Sequence, residues 1–229
     1  TLCQQNCFVD RFAGKVGKCK NDIEVLVSSY NIHNGEEPII SGIYGSGTIF
    51  FSGCSLSCLF CQNYPISQLR HGEKTNIEKL ASMMLFLQLK NAHNINWVTP
   101  THILPMAIDA LELARKDGLK LPVVYNTSGY ENLQTVQLLD GYIDIYMPDF
   151  KYSDSDLSLK YSNIKFNQQE QIKTLKEMYK QVGGIEIDKV GVSKKGLLIR
   201  HLVLPNNVDN SINVLDLIKN NLDNNVYLS

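Results

Sequence analysis

Apolar positions along the chain follow two periods that alternate with each other. After Gly45-Ser46-Gly47, the run Thr48-Ile49-Phe50-Phe51 is short, β-branched and aromatic, which predicts a buried strand. Thr75-Asn76-Ile77-Glu78 has the form of a capping box, and the residues after it set Leu80, Met83, Met84 and Leu87 on one stripe of a helix. A second strand is predicted over 95–98, then a helix carrying Ile108, Leu111, Leu113 and Ala114 that stops at Gly118. The third strand, Val123-Val124-Tyr125, leads into a short helix over 133–139; the fourth covers 143–147 and ends at Pro148. Ile172, Leu175, Met178 and Tyr179 predict a longer helix over 168–182, ended by Gly183-Gly184. A fifth strand over 197–204, a helix around 214–218 and a sixth strand over 226–228 complete the series.

Strands separated by helices connect through right-handed parallel crossovers. Six of them predict an α/β fold, a partial parallel (β/α)6 barrel; a flat doubly wound sheet of fewer strands is the alternative. Residues 1–45 lack a comparable period, so the expected organisation is a short Cys-containing N-terminal extension (1–45) followed by the barrel (46–229). The chain opens on Thr1 and closes on the strand-like Val226-Tyr227-Leu228, which points to a barrel cut short at its C-terminus.

Composition narrows the partners. Hydrophobic residues make up 44% of the 229 positions and charged ones 20%, the balance of a globular chain. Lys+Arg (22) against Asp+Glu (23) gives a net charge of −1, and no basic run exceeds Lys194-Lys195, so the basic face that nucleic acid requires is missing. The best apolar run, Met83 to Leu87, stops at Gln88, short of the roughly 18 residues of a membrane span. Asp10 and Arg11 interrupt the stretch that a secretion signal would keep apolar. The expectation is a cytoplasmic protein with no nucleic-acid and no membrane partner.

Candidate chemistry is concentrated in the cysteines, all six of which precede residue 62. Cys54, Cys58 and Cys61 fall within eight residues directly after the first strand. A four-iron cubane ordinarily takes four thiolates. Three close cysteines with no fourth nearby would leave one iron open to a ligand, as catalytic metal sites require. A zinc knuckle short of one ligand and a redox pair at Cys58 and Cys61 are the plainer readings. Cys3, Cys7 and Cys19 suit a second metal site, zinc or an auxiliary iron–sulfur cluster, that needs a fourth ligand; three reduced thiols in a loosely ordered segment are the alternative.

Other polar groups follow the same logic. Functional groups of parallel barrels collect where strands end. Thr99 to His102 follow the second strand, Asn126 to Gly129 the third, and Asp149 with Lys151 the fourth. Arg200 and His201 lie in the predicted fifth strand, where alternation turns only one inward. Arg200 is the better choice, since a guanidinium suits a carboxylate; a surface ion pair with Asp149 or a neighbour is the plain alternative. His33, His71 and His93 read as exposed loop residues and Trp97 as packing, while Tyr125 and Tyr130 fit either role.

The Cys-x3-Cys-x2-Cys spacing after a first strand, with Phe60 just before the last cysteine, resembles the radical S-adenosylmethionine superfamily. The stretch from Gly45 through Cys61-Gln62-Asn63 is similar to its pyruvate formate-lyase-activating-enzyme-like (PflX-type) branch. So are Val9-Asp10-Arg11, Gly35-Glu36-Glu37-Pro38, Val98-Thr99-Pro100-Thr101-His102, Tyr125-Asn126-Thr127-Ser128-Gly129-Tyr130, Pro148-Asp149-Phe150-Lys151-Tyr152 and Arg200-His201-Leu202-Val203-Leu204-Pro205. The resemblance implies that Cys54, Cys58 and Cys61 hold a 4Fe-4S cluster whose open iron chelates the amino and carboxylate groups of S-adenosyl-L-methionine. It implies that Phe60 lies against the adenine and that Asn126, Asp149, Lys151 and Arg200 line the cofactor or substrate cavity. Thr99-Pro100-Thr101-His102 stands where the superfamily commonly has Gly-Gly-Glu, so the Thr99 and Thr101 hydroxyls are the candidates for the methionine amino group. The branch also resembles Cys-x-Leu-Cys-Pro-Arg-x-Cys near its start; Gln4 and Gln5 replace Pro-Arg, and a fourth cysteine would fall before Thr1. The implied activity is reductive cleavage of the cofactor to a 5′-deoxyadenosyl radical that abstracts hydrogen from a glycine of a glycyl-radical-type partner enzyme, with a flavodoxin or ferredoxin as electron donor. A small molecule or another peptide as substrate, or a non-catalytic iron–sulfur or zinc protein, are the competing readings.

Overall fold

A computed structural model describes residues 1–229. Six strands run parallel in the order of the chain: β2 (Ser46–Phe51), β4 (Ile95–Val98), β5 (Val123–Thr127), β6 (Ile145–Pro148), β8 (Ser193–Ile199) and β9 (Tyr227–Leu228). This is the expected partial (β/α)6 barrel, with the sheet left open. Antiparallel strands finish its edges: β1 (Val25–His33) pairs with β2, β3 (Glu73–Thr75) with β1, and β7 (Glu186–Ile187) with β8. The crossovers carry α3 (Ile77–Leu89), α4 (Leu104–Lys116), α5 (Leu133–Leu138), α6 (Ser155–Ser162), α7 (Gln168–Val182) and α8 (Val208–Asn221). Two single turns, α1 (Pro38–Ser41) and α2 (Tyr64–Ser67), flank β2.

Register divides the side chains between the two faces. Ile49, Trp97, Tyr125, Tyr146 and Leu197 form one continuous row across five strands, and each is 0% exposed. The helices cover this row with residues such as Leu80, Met84, Leu87, Ala107, Leu111, Leu175 and Met178. Burying each large apolar side chain contributes about 1.5–3 kcal/mol, so this outer layer dominates the stability of the sheet. The opposite face carries Thr48, Asn96, Val124 and Ile145 in one row, then Phe50, Val98, Asn126 and Met147 in the next. There a small apolar cluster of Val124, Ile145, Met147 and Leu198 is covered by Ile40 of α1.

Several elements differ from the sequence expectation. β1 lies within the segment expected to lack regular structure. Its sequence, VLVSSYNIH, buries Val25 and Val27 but then turns polar, so alternation fades in its second half. α3 is capped by Asn76, whose side chain accepts from the Lys79 N–H, and not by Thr75. α6 gave no apolar period; it is defined by its ends, with Asp154 accepting from the Asp156 and Leu157 N–H groups and Asn163 closing it in the left-handed conformation. The fifth parallel strand ends at Ile199 rather than 204, so Arg200 sits one residue past it, joined to Asp149 by a single bridge. His93 is buried, not exposed: its Nε2 accepts from the Tyr44 N–H at 3.2 Å.

Candidate functional site

Residues 52–63 leave the C-terminal end of β2 and carry Cys54, Cys58 and Cys61. Gly53 opens this loop at φ +95°, and a Cβ there would stand 2.5 Å from Asn21 Oδ1, so only glycine fits the close approach. The three thiols are free, and each sulfur has a hydrogen-bond partner. Cys54 Sγ accepts from the Leu56 N–H at 3.4 Å, Cys58 Sγ from the Ser162 hydroxyl at 2.9 Å, and Cys61 Sγ meets the Ser67 hydroxyl at 3.2 Å. Backbone bonds from Ser57 N–H to Ser162 O and from Leu59 N–H to Tyr161 O tie the loop to the end of α6. Burial pushes the Cys54 thiol up to about 12 and raises Cys58, while the Lys151 ammonium works in the opposite direction on both. No three His, Cys, Asp or Glu side chains converge to hold a single metal ion. A cubane gives each thiolate its own iron, so a cluster does not need the three sulfurs to share a point. Phe60, in the same loop, is half-buried against the main core.

A polar ring stands at the ends of the next strands. Arg200 directs Nε at Asp149 Oδ1 (3.1 Å), Nη1 at Glu36 Oε1 (3.1 Å) and Nη2 at Asn126 Oδ1 (2.7 Å). Lys151 Nζ donates to the other Asp149 oxygen. Asn126 and Asn96 both donate to Glu36 Oε2, at 2.9 and 3.2 Å. Burial raises the Asp149 carboxyl, but Lys151 and Arg200 outweigh it and hold the group below the usual carboxylate range. His201 faces the other way, with Nδ1 2.6 Å from the Phe150 carbonyl and Nε2 2.8 Å from Ser211 Oγ. The structure thus brings Asn126, Asp149, Lys151 and Arg200 together. Glu36 was not among the candidate residues; it lies 164 positions from Arg200, and nothing in its local spacing signals the contact. Asn96 had a readable signal, a polar residue within the buried strand Ile95-Asn96-Trp97-Val98.

The segment after β4 behaves differently at its two threonines. Thr99 adopts φ +57°, an unusual conformation for a β-branched residue, and its N–H donates to the Asn126 carbonyl at 2.9 Å. Thr101 is turned into the protein: its hydroxyl donates to Glu131 Oε1 at 2.6 Å and accepts from Tyr125 Oη at 3.2 Å. Thr127 donates to the same Glu131 oxygen. Glu131 is fully buried, and burial raises its carboxyl. This second acid was also absent from the sequence candidates. Tyr130 donates to the Lys165 carbonyl at 3.0 Å, and Trp97 is a packing residue. His102 is buried with Nε2 2.8 Å from the Ser52 carbonyl, and burial lowers its imidazole to about 4. Cys3, Cys7 and Cys19 stand outside the strand-end ring and line a separate cavity.

The Radical SAM superfamily profile matches residues 48–224. A protein of Methanocaldococcus jannaschii, described as "Uncharacterized protein MJ0674", is 31% identical over 233 residues; the match covers 97% of this chain and 62% of that protein. Among solved structures, Streptococcus suis SuiB bound to the precursor peptide SuiA superposes with a TM-score of 0.53 at 18% identity, over 74% of this chain and 35% of that one. SuiB bound to S-adenosylmethionine gives a TM-score of 0.52 at 18% identity, over 74% and 36% of the two chains. At that identity the SuiB likeness speaks for the open parallel barrel alone. No helix is long and apolar enough to cross a membrane. With the profile spanning the barrel from β2 to α8 and three cysteines grouped at its mouth, the chain belongs to the radical SAM superfamily.

Proposed function

We propose that this chain holds a 4Fe-4S cluster on Cys54, Cys58 and Cys61, cleaves S-adenosyl-L-methionine reductively, and serves to activate a glycyl-radical-type partner enzyme in the manner of the pyruvate formate-lyase-activating-enzyme-like branch. The observation that carries the reading is one juxtaposition: three cysteines on the loop leaving β2, beside a charged ring at the ends of β5, β6 and β8. When bound, such a cluster supplies the single electron that splits the sulfonium carbon–sulfur bond into methionine and a 5′-deoxyadenosyl radical.

The residues of the chain then have distinct tasks. Hydrogen bonds from Leu56 and Ser162 orient the Cys54 and Cys58 sulfurs and favour their thiolates, and the Ser67 hydroxyl positions Cys61. The flat ring of Phe60 offers a stacking surface for the adenine. Arg200 and Asn126 suit a carboxylate that takes over one of their contacts within the ring, with Asp149 and Glu36 fixing the guanidinium plane. Lys151 adds positive charge beside Cys54 and Cys58. Thr99 offers its hydroxyl toward the methionine amino group, whereas the Thr101 hydroxyl is already engaged by Glu131 and Tyr125. A flavodoxin or ferredoxin supplies the electron, in keeping with cluster potentials that reach about −700 mV.

Anaerobic reconstitution followed by quantification of 5′-deoxyadenosine tests the cleavage. The wild type should form it only with reductant, and Cys54→Ala, Cys58→Ala and Cys61→Ala should each reduce it to background. Turnover that survives those changes refutes the cluster assignment. The substrate is tested by mixing the loaded protein with a glycyl-radical enzyme and looking for a glycyl signal in the electron paramagnetic resonance spectrum; cofactor cleavage without that signal rejects the partner.

A further inference from the structure

Three cysteines that the proposed function leaves unused line a cavity of about 440 Å³ between the N-terminal segment and the mouth of the barrel. Each of their sulfurs already accepts an N–H. Cys3 is bonded by the Gln5 backbone, Cys7 by the Lys18 backbone at 3.3 Å, and Cys19 by Arg11 Nη2 at 3.4 Å. Such bonds are how proteins orient and tune the thiolates of iron–sulfur centres.

The wall of the same cavity holds His102, 4% exposed. A carbonyl only accepts, so the 2.8 Å contact with Ser52 O places the imidazole proton on Nε2. Nδ1 is therefore left with a lone pair, and it is buried without a partner. A buried polar atom in that condition calls for an explanation. Ring N–H to a carbonyl on one side and a free nitrogen on the other is the arrangement of a metal-ligating histidine. A lone zinc ion requires its ligands at about 2.0–2.3 Å from one point, whereas a cubane spreads them over separate irons. The cavity has room for something larger than an ion, and Arg11 in its wall offsets thiolate charge.

We propose that Cys3, Cys7, Cys19 and His102 hold a second iron–sulfur cluster, with three thiolate ligands and one imidazole. The inference is independent of the proposed reaction and of its partner.

The variant Cys54→Ala/Cys58→Ala/Cys61→Ala removes the first cluster, so its metal content reports on the second site alone, without S-adenosylmethionine or turnover. Prepared anaerobically with iron and sulfide, it should retain about four iron and four sulfide per chain for a cubane, roughly half the wild-type content. Adding Cys3→Ala, Cys7→Ala and Cys19→Ala to that variant should remove the remaining iron and sulfide. On the triple-variant background His102→Leu should lower iron at least twofold. His102→Cys should keep it and shift the paramagnetic signal of the reduced cluster, a rescue that a merely structural histidine would not give. Zinc at one per chain without sulfide, a disulfide between two of the three cysteines, or an iron-free triple variant with unchanged circular dichroism would each overturn the proposal. So would a cluster whose content and spectrum ignore both His102 variants.

Discussion

Arg200 illustrates how one side chain is fixed by groups from three other parts of the chain. Asp149, Glu36 and Asn126 occupy its three nitrogens, and Lys151 shares the Asp149 carboxylate. Because its cationic neighbours hold Asp149 below the usual carboxylate range, the native state binds its proton less readily than the unfolded chain does. The stability gained is present above the unfolded value of about 3.9, and is lost as pH falls through the lower native value. Urea midpoints measured from pH 7 to pH 2.5 should therefore fall steeply for the wild type below about pH 4. Asp149→Asn should start about 1–3 kcal/mol lower at pH 7 and lose less on acidification. Equal acid sensitivity in the two proteins would show that Asp149 does not couple to Arg200 and Lys151.

Among the elements, α3 separates two residues that look equally suited to start a helix. Thr75-Asn76-Ile77-Glu78 permits a cap at either of the first two positions, but the Asn76 side chain accepts the Lys79 N–H at 2.8 Å while the Thr75 hydroxyl is buried without a partner. Asn76→Ala should cost about 1 kcal/mol. Thr75→Ala should cost less or be neutral, since it removes an unsatisfied hydroxyl. Thermal midpoints of the two variants measured side by side decide which residue is the cap. α3 itself was readable because Leu80, Met83, Met84 and Leu87 all face the core at helical spacing. α6 was not, because it buries only Ser158 and Ser162, and a polar buried face leaves no apolar period.

At the scale of the whole molecule, the connection between β1 and β2 does more than join two edge strands. It lays α1 over the inner face of the sheet, where Ile40 covers Val124, Ile145, Met147 and Leu198, and it delivers Glu36 to Arg200, Asn126 and Asn96. Ile40→Ala should cost about 2–5 kcal/mol through the cavity it leaves. It should also loosen the Glu36 contacts, seen as faster hydrogen exchange at the ends of β5 and β8. A variant with wild-type stability and exchange would mean that the inner face does not depend on this cover.

The sequence alone determined the alternation of strands and helices, the six parallel strands, the cysteine loop after the first of them, and the polar residues at strand ends. These are local properties: each follows from the spacing of apolar residues or from a position just past a strand. Tertiary structure decided what spacing cannot carry. The placement of Glu36 against Arg200, of Glu131 against Thr101 and Thr127, and of His102 beside three distant cysteines depends on where the sheet brings remote segments together. Edge strands β1, β3 and β7 escaped for the related reason that a strand only partly buried has little apolar alternation to show.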